Sequence, residues 1–204
     1  TQRDQLIVRA IADWKDSDPA DRLDLARWLN SKGEYQRAID SIPLEKALQS
    51  SDLFLQHLDA LGGVGRWNEI QQQLRSEKFP LEPFLEAMYL ARCNSQLGEQ
   101  TASENNWQRA LEAAQGDARK LITLAQYAEQ NKETEIAEVA YNNAAAATPR
   151  LRLAWDGRLR LAQASRDTKR IHAVLKNMLV LWPEDLAIQN DEAYSRLLLC
   201  PPAG

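Results

Sequence analysis

The sequence predicts an all-α chain of stacked antiparallel helix pairs, and three observations carry that prediction. The first is a recurring glycine–aromatic pair. "SKGEYQRAI" places Gly33, Tyr35 and Ala38, and "GVGRWNEI" places Gly65, Trp67 and Ile70, a shift of 32. The second is a recurring aromatic–alanine set. Trp107, Ala110 and Leu111 return 34 residues later as Tyr141, Ala144 and Ala145, and after another 34 as Leu175, Met178 and Leu179. Pro149 and Pro183 share the spacing of 34. The third is composition. Eight glycines and eight prolines in 204 residues are too few for an all-β chain full of tight turns.

The elements follow in order. "QLIVRAIADW" (Gln5–Trp14) reads as a lone helix whose apolar residues, Leu6, Ile7, Val8, Ala10, Ile11, Ala12 and Trp14, cover more than one side. An interior helix of a stacked array is covered on both sides. The spare face therefore calls for a preceding neighbour or a dimer partner, the chain is expected to continue upstream of Thr1, and Val8 and Ala12 should be accessible. "SDP" (Ser17–Pro19) starts the next helix. On the first helix of each pair one face should pack: Leu25, Ala26 and Leu29; Phe54, Leu58 and Leu61; Ala87, Leu90 and Ala91; Leu121, Leu124, Ala125 and Ala128. "TEIAEVAYNNAAAA" supplies a second helix, with Ala137, Tyr141 and Ala144 on one face. Asn131–Lys132–Glu133 is the turn before it, and Pro149 stops it. Glycine just past a first helix provides the left-handed cap for a tight reversal.

Irregularities are also legible. Pro43 interrupts a second helix. Gly62, Gly63 and Gly65 crowd one turn. "KFPLEPF" (Lys78–Phe84) makes a proline-rich join. Arg166 stands where the turn glycine is usual. "EDLAIQNDEAYSRLLL" reads as a terminal helix with Asn190, Asp191, Glu192, Ser195 and Arg196 facing water as a polar cap.

These features resemble the tetratricopeptide repeat (TPR), which has this length, and "NWQRALEAA" and "AYNNAAAATP" look like its second helix and closing proline. The resemblance covers residues 18–185 as about five degenerate helix pairs. It leaves 1–17 as an N-terminal helix and 186–204 as a capping helix and tail. It implies an all-α, right-handed superhelical solenoid of antiparallel helix pairs. It further implies a non-catalytic scaffold that binds a peptide or helix of a partner protein in a concave groove. By the family register, one column of that groove is Arg27, Asp59, Arg92, Gln126 and Arg160. A turn later come Asn30, Gly62, Ser95, Glu129 and Gln163, and a turn earlier Leu23, Leu55, Met88, Ile122 and Asp156. The candidate groove residues are Arg27, Asn30, Asp59, Met88, Arg92, Ser95, Gln126, Glu129, Arg160 and Gln163. Whether the apolar column lines the groove or completes the core stays open. The family's clamp for acidic chaperone tails needs Lys and Asn at places held here by Leu23 and Arg27, so that activity is not supported. The alternative is a self-associating assembly module of a larger or membrane-anchored protein, working as a homo-oligomer.

Catalytic motifs are scarce. His57 and His172 are the two histidines. Asp59 is two residues from His57, on a different helix face, so a packed or surface histidine is expected there. "GGVGRW" lacks the Lys-Ser/Thr of a phosphate-binding loop and reads as a turn. No GxSxG, HExxH or DxDxDG string occurs. Cys93 and Cys200 have no CxxC or Cys/His neighbourhood. The expectation is no enzyme, no cofactor and no metal. Trp67, Trp107 and Trp155 fall at repeat-like positions and should be core. Trp14, Trp28 and Trp182 are less regular, and one of them is a candidate partner contact.

Charge is uneven. Residues 1–149 hold 16 basic and 23 acidic side chains, and 150–204 hold 9 and 6. The acidic balance argues against nucleic acid. Arg150 to Lys176 holds eight bases against Asp156 and Asp167, either a weak anion-attracting patch or a solvated helix surface. No apolar run reaches the ~18 residues of a membrane span, so insertion by this segment is not expected. A soluble cytoplasmic or periplasmic segment fits, with the compartment open.

Overall fold

Stop signals and left-handed turn residues divide the chain into helices, and a computed structural model describes them over residues 2–76 and 81–199. Lys78, Phe79 and Pro80 of the proline-rich join, and Cys200, lie outside the described residues. Among the described residues there are thirteen helices and no strand: α1 (Gln2–Trp14), α2 (Pro19–Ser31), α3 (Tyr35–Ser41), α4 (Leu44–Ala47), α5 (Ser51–Gly63), α6 (Trp67–Leu74), α7 (Pro83–Gln96), α8 (Gln100–Ala113), α9 (Ala118–Gln130), α10 (Thr134–Ala147), α11 (Arg152–Ala164), α12 (Thr168–Leu181) and α13 (Leu186–Leu199). Two compact units result, residues 1–106 and 107–204.

The reversals set the period. Gly33, Gly65 and Gly98 have φ of 73°, 78° and 77°, and Lys132 and Arg166 have 65° and 56°. These five positions are 32 to 34 apart, and each ends a first helix in the left-handed conformation. Arg166 thus adopts the conformation of the glycine it replaces. Gly98 is a turn that the glycine–aromatic pattern does not reveal.

Helix starts are capped by short acceptors. Asp18 receives Ala20 N at 2.9 Å and Asp21 N at 3.1 Å, with Pro19 opening α2. Asp117, Asp167 and Asp185 do the same for α9, α12 and α13. Pro43 separates α3 from α4, and its carbonyl accepts Lys46 N and Ala47 N.

In unit 1 the core joins Ile7, Leu25, Leu29, Ala38 and Ala60, with Ile11, Tyr35 and Ile39 against them. The expected faces of α2, α5 and α7 are all buried. Gly62 and Gly63 are not turn residues as expected; they belong to the last turn of α5. A Cβ on Gly63 would fall inside the ring of Tyr35, and one on Gly62 would touch Trp67. These glycines serve close ring packing rather than the reversal. On α1, Ile7 is buried, while Leu6 is 62% and Val8 59% exposed and Ala12 is exposed too.

In unit 2, α9 packs on α10, α10 on α11, α11 on α12 and α12 on α13. Ala125, Ala128, Ala137, Ala140 and Ala144 are fully buried. Their small size lets the helix backbones approach while Trp107 and Tyr141 fill the remaining space. Gly157 repeats the ring packing, since a Cβ there would overlap the Tyr141 ring.

The terminal helix departs from expectation. Asn190, Asp191 and Arg196 are exposed, but Glu192 and Ser195 are buried on the Ile188 face. His172 on α12 explains this: its Nδ1 lies 3.1 Å from Ser195 Oγ and 3.7 Å from Glu192 Oε1. A polar partner on the neighbouring helix turns these two groups inward. Leu186, Tyr194, Leu197 and Leu198 then point to solvent.

Candidate functional site

The candidate groove residues fall on first helices, and several of them in each unit are joined to a neighbouring helix. In unit 1, Arg27 is exposed and lies 3.7 Å from Asp24 and 3.8 Å from Asp52. Asn30 donates to the Gln56 backbone carbonyl at 2.9 Å and to its side-chain oxygen at 3.1 Å. Asp59 accepts the Tyr89 hydroxyl at 2.9 Å and lies 4.0 Å from Arg92. Burial raises the Asp59 carboxyl above its usual value, with Tyr89 and Arg92 pulling it back. The Arg92 guanidinium also stacks 4.9 Å over Trp67. Ser95 is half-buried, and its carbonyl accepts Gly98 N. Met88 corrects the expectation. At 2% exposure it is a core residue, because Phe84, Ala87, Met88 and Ala91 form one buried face of α7. That decides for Met88 the question of groove or core.

In unit 2, Glu129 is the hub. It accepts Arg160 Nε at 2.7 Å and Nη2 at 2.8 Å, and the Tyr141 hydroxyl at 2.9 Å. These bonds hold the Glu129 carboxyl below its usual range, led by Arg160. Burial and the adjacent carboxylate push the Tyr141 phenol up to about 12. Gln126 and Gln163 are exposed.

Other polar groups are settled by packing. His57 is buried, with Nδ1 3.3 Å from the Ile42 carbonyl and Nε2 3.5 Å from Gln73, and desolvation lowers its pKa. Asp59 is not among these partners. Ser195 and Glu192 both lie on the Nδ1 side of His172, whereas a nucleophile–base–acid relay needs both ring nitrogens. Burial pushes the Cys93 thiol up to about 12, far from a reactive thiolate. Among the described residues, no cluster of three His, Cys, Asp or Glu could hold a metal ion. Among them too, no helix is long and apolar enough to cross a membrane.

Among the described residues, each unit has a concavity. In unit 1, α1 and α2 leave a groove of about 490 Å³ with Leu6, Ala10, Trp14, Leu25 and Trp28 on its walls and Arg9, Asp13 and Asp24 at its rim. Trp14 is 44% and Trp28 36% exposed, whereas Trp107 and Trp155 are core as expected. In unit 2, α10, α11 and α12 enclose a smaller polar pocket of about 140 Å³. Its side chains come from three helices, so no contiguous motif marks it. The basic run from Arg150 to Lys176 is the sequence signal that lies over it.

No protein-family model matches the chain. None of the curated proteins matches it either. Six chains of solved structures do. One is the crystal structure of YrrB, described as a TPR protein with an unusual peptide-binding site. It is 14% identical with a TM-score of 0.42, over 92% of this chain and 97% of that one. The chain's own helix pairs reverse at a left-handed residue every 32 to 34 positions.

Proposed function

We propose that the chain is a non-catalytic protein-interaction scaffold that takes a peptide or helix of a partner protein. The observation that carries this reading is the α1–α2 groove. It offers about 490 Å³ walled by Leu6, Ala10 and Leu25 with two exposed tryptophans, Trp14 and Trp28. Exposed aromatics around a cleft are the usual anchors of a binding surface. The first-helix columns are a weaker place for the ligand, because Asp59, Glu129 and Arg160 direct their charge at one another. Arg27 joins the groove's edge through Asp24. Asp13 and Asp24 outnumber Arg9 at the rim, which favours a helix with an apolar stripe and basic flanks.

Tryptophan fluorescence tests this. A Leu/Lys amphipathic helix should quench or shift the emission saturably, and Trp28→Ala should weaken it by roughly tenfold. An equal response to a Leu/Glu helix, or none to either, removes the groove as the docking place.

A second reading, self-association, is favoured by the outward Leu186, Tyr194, Leu197 and Leu198 of α13 together with Leu6 and Val8 of α1. Light scattering separates the two, since self-association makes the mass rise with concentration and Leu197→Lys should abolish that rise.

A further inference from the structure

The polar pocket of unit 2 is built from charge and amide groups over an apolar floor. Leu161 and Val174, both nearly buried, form that floor. The walls carry Arg158 from α11, Arg170 from α12 and Glu138 from α10, with Asn142 and Asn177 beside them. Arg170 and Glu138 are an ion pair. Arg158 is different. Its guanidinium stacks 4.3 Å above the Trp155 ring, and among the described residues no carboxylate lies within ion-pair distance of it. Stacking occupies the flat face of a guanidinium and leaves its in-plane N–H donors available, in the fork that matches a carboxylate or phosphate. The Asn142 side chain is half-buried and makes no hydrogen bond among the described residues. Asn177 donates to the Ala173 carbonyl at 2.9 Å.

The charge is unbalanced. Two guanidiniums face one carboxylate, so the walls hold one positive charge in excess. Partial burial makes that excess costly to Arg158, whose pKa is lowered by desolvation first, and then by Arg170 against the pull of Glu138. One bound negative charge would neutralise it. Size limits the guest. About 140 Å³ is the room of roughly four to five waters, enough for one oxyanion head and too small for a nucleoside. The surrounding run of bases from Arg150 to Lys176 would draw anions toward the opening.

We infer that this pocket between α10, α11 and α12 binds a single oxyanion group, a carboxylate or a phosphate, held by the in-plane donors of Arg158 with Asn142 and Arg170. The pocket belongs to unit 2 and the groove of the proposed function to unit 1, and neither reading depends on the other.

The experiment is an NMR titration of the whole ¹⁵N-labelled chain, following the Arg158 side-chain Nε–Hε signal. Sodium phosphate and sodium acetate are added separately, with sodium chloride at equal ionic strength as reference. A saturable shift at Arg158 with either oxyanion, absent with chloride, is expected. Saturation by phosphate alone, by acetate alone or by both identifies the source of the head group. Arg158→Gln, followed by the Arg170 Nε–Hε signal, should weaken binding on the order of tenfold or more. Glu138→Gln removes the competing carboxylate and releases Arg170, so it should tighten binding roughly three- to tenfold. That gain cannot arise from misfolding. A shift that fails to saturate, a shift equal to that of chloride, or a Glu138→Gln variant that binds no more tightly than the parent would overturn the site.

Discussion

Arg160 grips Glu129 with both edges of its fork, Nε to Oε1 at 2.7 Å and Nη2 to Oε2 at 2.8 Å, across 31 residues of sequence. The Tyr141 hydroxyl donates to the same carboxylate at 2.9 Å and accepts from Arg160 at 3.0 Å. One triad therefore fastens α9, α10 and α11. Arg160 is half-exposed, so solvent screens much of the attraction. Removing the carboxylate by Glu129→Gln should cost about 0.5–1.5 kcal/mol near neutral pH.

Acid should erase that difference. The folded-state pKa of Glu129 lies below its ordinary value of 4.5, so its contribution is complete above that value and fades as pH falls through the lower folded-state pKa. Melting temperatures of the parent and Glu129→Gln should draw together as pH falls below 4.5 and coincide once it has passed the lowered folded-state pKa. A gap that persists at low pH would show that the substitution acts by something other than charge.

Alkali should act through Tyr141. Its pKa is raised from 10.0 to about 12, which means the folded state prefers the neutral phenol. The associated stability is intact below pH 10 and is lost as pH rises toward 12. In Tyr141→Phe the loss of stability over this range should be shallower, measured by urea unfolding at successive pH values. The late-titrating phenolate absorbance of the folded parent should disappear with it.

Gly157→Ala is a test of packing against propensity. Alanine in a helix gains about 0.5–1 kcal/mol over glycine. Here the new Cβ would overlap the Tyr141 ring, which is buried to 1% and held by its hydroxyl. The expected net result is destabilisation of about 1–3 kcal/mol. In a Tyr141→Leu background the same substitution should cost less, and a double-mutant cycle of thermal melts measures the coupling.

Arg166→Gly should stabilise the protein slightly. A left-handed backbone costs a residue with a Cβ roughly 1–2 kcal/mol, against roughly 0.5–1 for the extra freedom of unfolded glycine. Arg166 at φ 56° and Lys132 at φ 65° carry that strain. A rise in melting temperature at both sites, with no rise for Gln163→Gly in the preceding helix, is the expected pattern.

The period was legible because it repeats in residue types with one structural meaning. Glycine at 33 and 65 marks the reversal, and the faces of α2, α5, α7 and α9 follow from helical spacing alone. Gly98 escaped because the aromatic two positions later is absent; Gln100 stands there. Gly62 and Gly63 misled for a related reason. A glycine that admits a ring looks the same in sequence as one that turns the chain. The candidate groove was read as a set of positions, but what its side chains do depends on partners about one repeat away. Asp59 meets Tyr89, 30 residues on, and Glu129 meets Arg160 at 31, distances set by how far one helix pair advances on the next. The polar cap failed because Glu192 and Ser195 were assigned to water by type, while His172 on α12 offered them a buried partner.

The ring contacts make the helix pairs directional modules. Tyr35 on α3 lodges against Gly63 on α5, and Tyr141 on α10 against Gly157 on α11. In both cases the protruding ring belongs to one pair and the notch to the pair downstream. The two notches sit in different registers, two residues before the left-handed Gly65 in one and nine before Arg166 in the other. These pairs are therefore not interchangeable cassettes. Transplanting the α9–α10 pair ahead of α5 would bring the Tyr141 ring without the Gly157 notch, and any shuffled or extended array would have to carry each ring together with the glycine that receives it.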